Sequence, residues 1–123
     1  MLSIGTTVMG VENFGRAVEF WTKALNYTPK REMTDDDDFM VLVPAVGEGA
    51  HLALDVTRTP VQEHPRVHLD LFAGDAADQA AEVERLISLG ATQVDWDLYP
   101  EKPDFVVLAD PEGNIFCVID TSR

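Results

Sequence analysis

The chain has 123 residues, of which 46% are hydrophobic and 25% charged, a balance typical of one globular domain rather than a disordered segment. Nine Lys and Arg against 22 Asp and Glu give a net charge of −13. This charge argues against a nucleic-acid or anionic-membrane partner, because phosphates are repelled. The single cysteine, Cys117, excludes an internal disulfide, and no apolar run reaches the ~18 residues of a membrane span. We therefore expect a cytoplasmic protein.

The first half of the chain predicts one helix among four strands. Short apolar and β-branched runs predict strands at residues 2–9, 27–34, 39–43 and 51–56. A helix is predicted over residues 14–25, after the capping residue Asn13. Its apolar residues recur at helical spacing, namely Phe14, Val18, Trp21 and Leu25.

The second half repeats this order after a proline-containing connector at residues 57–65. A helix is predicted over residues 76–89, capped by Asp75 and closed by Gly90. Strands are predicted at residues 66–72, 91–96, 105–108 and 115–120. The segment 110–114 reads Asp-Pro-Glu-Gly-Asn, which predicts a turn.

An internal repeat is visible in the residues themselves. Residues 38–42 (DFMVL) match residues 104–108 (DFVVL) at all but the central position, and a Glu-Gly pair follows each segment before the next strand. The sequence therefore predicts one domain over residues 1–123, built from βαβββ modules at residues 1–57 and 65–123.

Several segments together resemble the glyoxalase/bleomycin resistance/dioxygenase superfamily, also called the vicinal oxygen chelate superfamily. They are the first helix and the residues that follow it (16–27), the strand at 66–71, the helix end at 89–91, and the final turn and strand at 110–119. The chain is most similar to the short bacterial glyoxalase-like group. The resemblance implies an α+β fold in which the two modules form a curved, half-barrel mixed sheet with the helices outside. It also implies a small organic ligand as the partner and a homodimer.

Metal-dependent members of this superfamily hold a divalent cation at four strand positions. The resemblance carries these positions over to Thr6, Ala53, His68 and Cys117. Alanine has no donor atom, and a His/Cys pair suits a hard cation poorly. We therefore expect no metal cofactor. One alternative stays open, a shifted metal or acid–base site, because side chains alternate along strands. Its candidates would be His51, Asp55, His68 and Asp70.

The favoured function is that of a small-molecule-binding protein that sequesters an organic ligand, as resistance-type members do. The candidate ligand-binding residues are His51, Asp55, His68, Trp96, Tyr99 and Cys117. His68 and Asp70 are the candidate catalytic pair of an alternative function, that of a lyase, isomerase or dioxygenase. A further alternative is a non-catalytic dimerisation or interaction module.

Two interpretations of His68 remain open. It is either a general base or ligand donor, or a structural histidine that bonds Asp70 or a backbone carbonyl. The apolar neighbours of Cys117 favour a small buried residue over a nucleophile.

Overall fold

A computed structural model describes all residues, 1–123, and places two helices and eight strands along the chain. The elements, in chain order, are β1 (Thr6–Val11), α1 (Phe14–Leu25), β2 (Tyr27–Pro29), β3 (Phe39–Pro44), β4 (His51–Val56), β5 (Leu69–Ala73), α2 (Ala76–Ser88), β6 (Thr92–Gln93), β7 (Phe105–Ala109) and β8 (Ile115–Asp120). They fall into two compact units, Met1–Pro60 (unit 1) and Val61–Arg123 (unit 2). Neither helix has the length and apolarity needed to cross a bilayer.

Unit 1 is a four-stranded sheet, in the order β1-β4-β3-β2, with α1 packed against it. The pair β1–β4 is parallel, and the other two pairs are antiparallel. Asn13 caps α1 by accepting from the Arg16 backbone N–H at 3.1 Å, as the sequence predicted. Phe20 and Trp21 are buried and meet edge-to-face, with ring centroids 5.1 Å apart. These aromatic side chains anchor the apolar stripe of the helix in the core.

Unit 2 has the same topology, with the sheet order β5-β8-β7-β6 and α2 packed on β5 and β8. Asp75 caps α2 by accepting from the Asp78 backbone N–H at 2.9 Å. The Gln79 side chain ties the helix to the sheet, because its Nε2 donates to the carbonyls of Asp104 and Val118, each at 3.0 Å. The predicted α+β fold of two tandem βαβββ modules is confirmed.

Equivalent residues of the two units have equivalent strand partners. Phe39 pairs with Asp55 in unit 1, and Phe105 pairs with Ile119 in unit 2. The residue before each phenylalanine is an aspartate whose carbonyl accepts the backbone N–H at the strand end, from Val56 in unit 1 and from Asp120 in unit 2. This shared register allows any residue of one sheet to be matched with its counterpart in the other.

Some strands differ in extent from the prediction. The first runs over Thr6–Val11, so it starts four residues later than predicted. The strand after each helix is also shorter, with three residues at Tyr27–Pro29 and two at Thr92–Gln93. Strand extent depends on a partner for each backbone group, and β6 has a partner only at Ala109 and Leu108 of β7.

The turn between β7 and β8 is built around the buried carboxylate of Asp110. Its Oδ1 accepts from the backbone N–H of Glu112 at 2.9 Å and of Asn114 at 2.8 Å. Gly113 completes the turn with φ +88°, a conformation that glycine adopts without steric cost. The predicted turn is confirmed, and it fixes where β8 begins to pair.

Candidate functional site

The polar side chains of unit 2 meet at the edge strand β5, on the sheet face opposite α2, termed here the helix-free face. His68 directly precedes β5, and its Nε2 lies 3.0 Å from Oδ1 of Asp70. The side chains of His68 and Asp70 are 43% and 49% exposed. Asp70 is the strand partner of Cys117, so the two residues project from the same face. The structure thus brings together three of the candidate residues proposed from the sequence.

The thiol of Cys117 forms the buried end of this group. The residue is 5% exposed and is flanked in the sheet by Asp70 and Val107. Burial, with a smaller contribution from the nearby Asp70 carboxylate, raises the pKa of the Cys117 thiol to about 11. The free thiol is therefore protonated at neutral pH. A protonated thiol is a poor nucleophile, because the thiolate is the reactive form.

An apolar strip crosses the same face one row further along the strands. Phe72 on β5 pairs with Ile119 on β8, which pairs in turn with Phe105 on β7. Phe72 is 79% exposed, whereas Ile119 and Phe105 are half-buried. The sequence pattern already placed Phe72 on the face of His68 and Asp70, although the residue was not a site candidate.

Tyr99 borders the apolar strip through its contact with Phe105. The two ring centroids lie 5.2 Å apart with an interplanar angle of 34°. The Tyr99 hydroxyl accepts the backbone N–H of Val107 at 2.7 Å. The hydroxyl therefore continues the hydrogen bonding of β7 beyond the short β6.

Trp96 belongs to a second histidine–carboxylate cluster, which the sequence did not reveal. Its ring centroid lies 5.0 Å from that of His64, and His64 Nε2 lies 2.7 Å from Oδ1 of Asp97. The hydrogen bond to Asp97 raises the pKa of His64, and the same bond lowers the pKa of Asp97. His64 and Asp97 are 33 residues apart, so only the tertiary fold could identify this pair.

Unit 1 carries no comparable group at the equivalent positions. By the shared register, Val8 and Ala53 of unit 1 correspond to Asp70 and Cys117 of unit 2, and Val8 and Ala53 are strand partners. His51 and Asp55 do share a sheet face on β4. They are four residues apart, however, which separates them by roughly 13 Å along an extended strand. They do not form a histidine–carboxylate pair with each other.

The four positions that hold metal in the superfamily lack a suitable set of donor atoms in this chain. Ala53 is fully buried and offers no ligand atom, and Thr6 offers only a hydroxyl. The remaining positions, His68 and Cys117, supply one nitrogen and one sulfur. Hard divalent cations prefer several oxygen ligands. The residues present therefore do not fit a hard cation held at these four positions.

A comparison with models of protein families identifies the family to which the chain belongs. The model of the glyoxalase-like domain matches residues 6–119, which is nearly the whole chain. The chain belongs to the glyoxalase-like domain family. The resemblance to the glyoxalase/bleomycin resistance/dioxygenase superfamily is thereby confirmed. No curated protein sequence matches the chain significantly.

Several solved structures have the same fold as this chain at low sequence identity. Protein ATC0852 from Agrobacterium tumefaciens has a TM-score of 0.74 and 18% identity, covering 98% of each chain. Hypothetical protein SA1046 from S. aureus has a TM-score of 0.71 and 15% identity, covering 98% of this chain and 94% of that one. A mutant of the fosfomycin resistance protein FosX from Listeria monocytogenes, complexed with Mn(II) and 1S,2S-dihydroxypropylphosphonic acid, has a TM-score of 0.70 and 14% identity. That match covers 97% of this chain and 90% of FosX. At these identities the likeness shows the fold alone.

Proposed function

We propose that this glyoxalase-like protein binds a small organic ligand on the helix-free face of unit 2, without a hard metal ion at the four superfamily positions. The observation that carries the proposal is the His68–Asp70 pair, hydrogen-bonded at 3.0 Å and half-exposed beside an apolar strip. Ligand sites combine a few convergent polar groups with apolar surface. The histidine and carboxylate would orient the polar part of the ligand, and Phe72 and Phe105 would contact its apolar part.

The charge of unit 2 favours a neutral or cationic ligand. Residues 61–123 contain four Lys and Arg and thirteen Asp and Glu, so their formal net charge is 4 − 13 = −9. A negative field repels anions and attracts cations. The anionic phosphonate that FosX binds is therefore a poor model for the ligand of this chain, and we do not extend FosX chemistry to it.

The roles of the other sequence candidates follow from their positions in this proposal. Tyr99 presents its ring at the border of the apolar strip, and Trp96 forms an aromatic surface with His64. Cys117 lies at the buried end of the proposed site, next to Asp70. His51 and Asp55 lie on the sheet of unit 1 and are not part of the site proposed on unit 2.

The test is a thermal-shift screen of the metal-free protein against a library of neutral and cationic organic compounds. We expect at least one compound to raise the melting temperature in a concentration-dependent way, as ligand linkage requires. The His68→Ala variant should lose that response. The matched control is Asp97→Asn, which neutralises the carboxylate of the other histidine–carboxylate pair, leaves the rings of His64 and Trp96 in place, and should keep the response. A hit that responds equally in wild type and His68→Ala would contradict the proposed site.

A second candidate function is acid–base catalysis by His68 and Asp70, as in an isomerase or lyase of the superfamily. The observation that favours it is the orientation of the ring. Nε2 is held by Asp70, and the structure gives Nδ1 no protein partner. A ring fixed by a carboxylate at one nitrogen can exchange a proton at the other. Turnover of a screened ligand that His68→Gln abolishes, while ligand affinity stays within a few-fold, would favour catalysis over simple binding.

We also propose a cytoplasmic homodimer. The exposed apolar residue Phe72 lies on the edge strand β5, and exposed apolar side chains at a sheet edge favour association. The free Cys117 thiol is compatible with a reducing compartment. Light scattering on the purified protein measures the oligomeric state. A dimer that responds to no compound in the screen would favour the interaction module instead.

A further inference from the structure

We propose that His68, Asp70 and Cys117 form a binding site for a thiophilic divalent cation, of which Zn²⁺ is the best match. Each residue offers one ligand atom, and these atoms all lie within 4.8 Å of one another. The proposal goes beyond the organic ligand above and does not depend on it. The group combines one nitrogen, one oxygen and one sulfur donor, which is a set that Zn²⁺ accepts.

The strand register fixes the backbone positions of two of the three ligands. Asp70 and Cys117 are paired residues of the parallel strands β5 and β8, so the backbone ladder fixes the distance between their Cα atoms. His68 already contacts Asp70, with Nε2 and Oδ1 3.0 Å apart. A tetrahedral Zn²⁺ with ordinary bond lengths separates its ligand atoms by about 3.4–3.7 Å. Small side-chain rotations would bring the three atoms from their present spacing to these values.

The donor set also determines which cations are disfavoured. A thiolate is a soft ligand that selects Zn²⁺ and related ions over Mg²⁺, Ca²⁺ and Mn²⁺. Three protein ligands would leave the fourth tetrahedral position for water or a small molecule on the exposed side, where His68 and Asp70 reach solvent. Because the thiol must lose its proton on binding, uptake should strengthen as the pH rises.

This site differs from the four-position arrangement of the superfamily. It lies entirely within unit 2, and it includes Asp70, which is not one of the four positions. The expectation of no bound metal came from those positions alone, in which Ala53 supplies nothing. Unit 1 has Thr6, Val8 and Ala53 at the positions of His68, Asp70 and Cys117, so we expect one ion per chain.

The test uses Co(II) as a spectroscopic probe on the full chain, purified without a metal-binding tag, treated with chelator and kept reduced. Co(II) bound to a thiolate gives a ligand-to-metal charge-transfer band in the near ultraviolet. Cys117 is the only cysteine, so this band assigns the site without any variant. We expect the band to saturate at one equivalent and to disappear when Zn²⁺ is added, whereas Mn²⁺ should not displace Co(II).

Variants then test the other two ligands. His68→Ala and Asp70→Asn should each weaken Co(II) binding by about tenfold or more, and Cys117→Ser should abolish the band. The double variant His64→Ala/Asp97→Asn removes a histidine–carboxylate pair that has no thiol, and it should bind as wild type does. The absence of a charge-transfer band in the wild-type protein would overturn the proposal even if a variant fails to fold. A band that survives both His68→Ala and Asp70→Asn unchanged would overturn the three-residue site. Neither result affects the screen for organic ligands.

Discussion

The turn at Asp110 provides the most quantitative prediction, because it determines how β8 enters the sheet and hence where Cys117 lies. The Asp110 carboxylate is buried and accepts two backbone N–H groups at 2.9 and 2.8 Å. A hydrogen bond to a charged group contributes about 1.5–3 kcal/mol. Glu112 and Asn114 are half-buried, so water would satisfy part of what is lost. Asp110→Ala should therefore lower the free energy of unfolding by about 2–4 kcal/mol.

Urea unfolding followed by circular dichroism measures this change. With a slope of about 2 kcal/mol per molar urea, the midpoint should fall by about 1–2 M. Asp110→Asn is the matched control, because its amide oxygen can still accept both N–H groups. It should cost about 1–2 kcal/mol, since the charge is lost together with the weak bond that Asn114 Nδ2 donates to Oδ2 at 3.4 Å. An Asp110→Ala protein within about 0.5 kcal/mol of wild type would refute the view that this carboxylate organises the turn.

The other predictions concern the same unit. Gly113→Ala should destabilise the protein by about 1–2 kcal/mol in urea unfolding, because Gly113 has φ +88° and an added Cβ would lie 3.4 Å from Val61; an unchanged midpoint would contradict this. The His64–Asp97 pair raises the pKa of His64 above its ordinary 6.5, so its stabilisation is present below that pH and is lost as the pH rises through the higher folded-state value. The difference in melting temperature between wild type and His64→Gln should shrink between about pH 5 and pH 8, and a constant difference would refute it. Cys117 should react slowly with iodoacetamide at neutral pH in the folded protein and quickly in urea, since burial raises its pKa to about 11; equal rates would show that the thiol is exposed.

The helices and strands with a periodic apolar pattern were predictable from sequence, whereas the pairing between strands was not. The bounds of α1 and β4 match the prediction because a clear apolar pattern sits between strong capping or turn residues. The sequence overestimated β6, since Val94 to Trp96 have strand-like composition but no continuous partner strand. Trp96 N–H instead donates to the Val94 carbonyl at 2.9 Å.

In the candidate site, too, the pattern along one strand was predictable from sequence and the pairing between strands was not. Alternation along one strand was enough to place His68, Asp70 and Phe72 on a common face. The proximity of Asp70 to Cys117 depends on the register between β5 and β8, which no local pattern specifies. The role of Tyr99 could not be predicted for the same reason, because its hydroxyl bonds a backbone group on β7.

The most direct test of the central claim, that ligand binding is located on unit 2, is a backbone-amide NMR titration with the strongest compound from the thermal-shift screen. We expect the shifted amides to cluster at residues 68–72 and along β7 and β8, with larger shifts there than on β1 and β4. Shifts concentrated instead on Thr6–Val11 and His51–Val56 would contradict it and would move the site to unit 1.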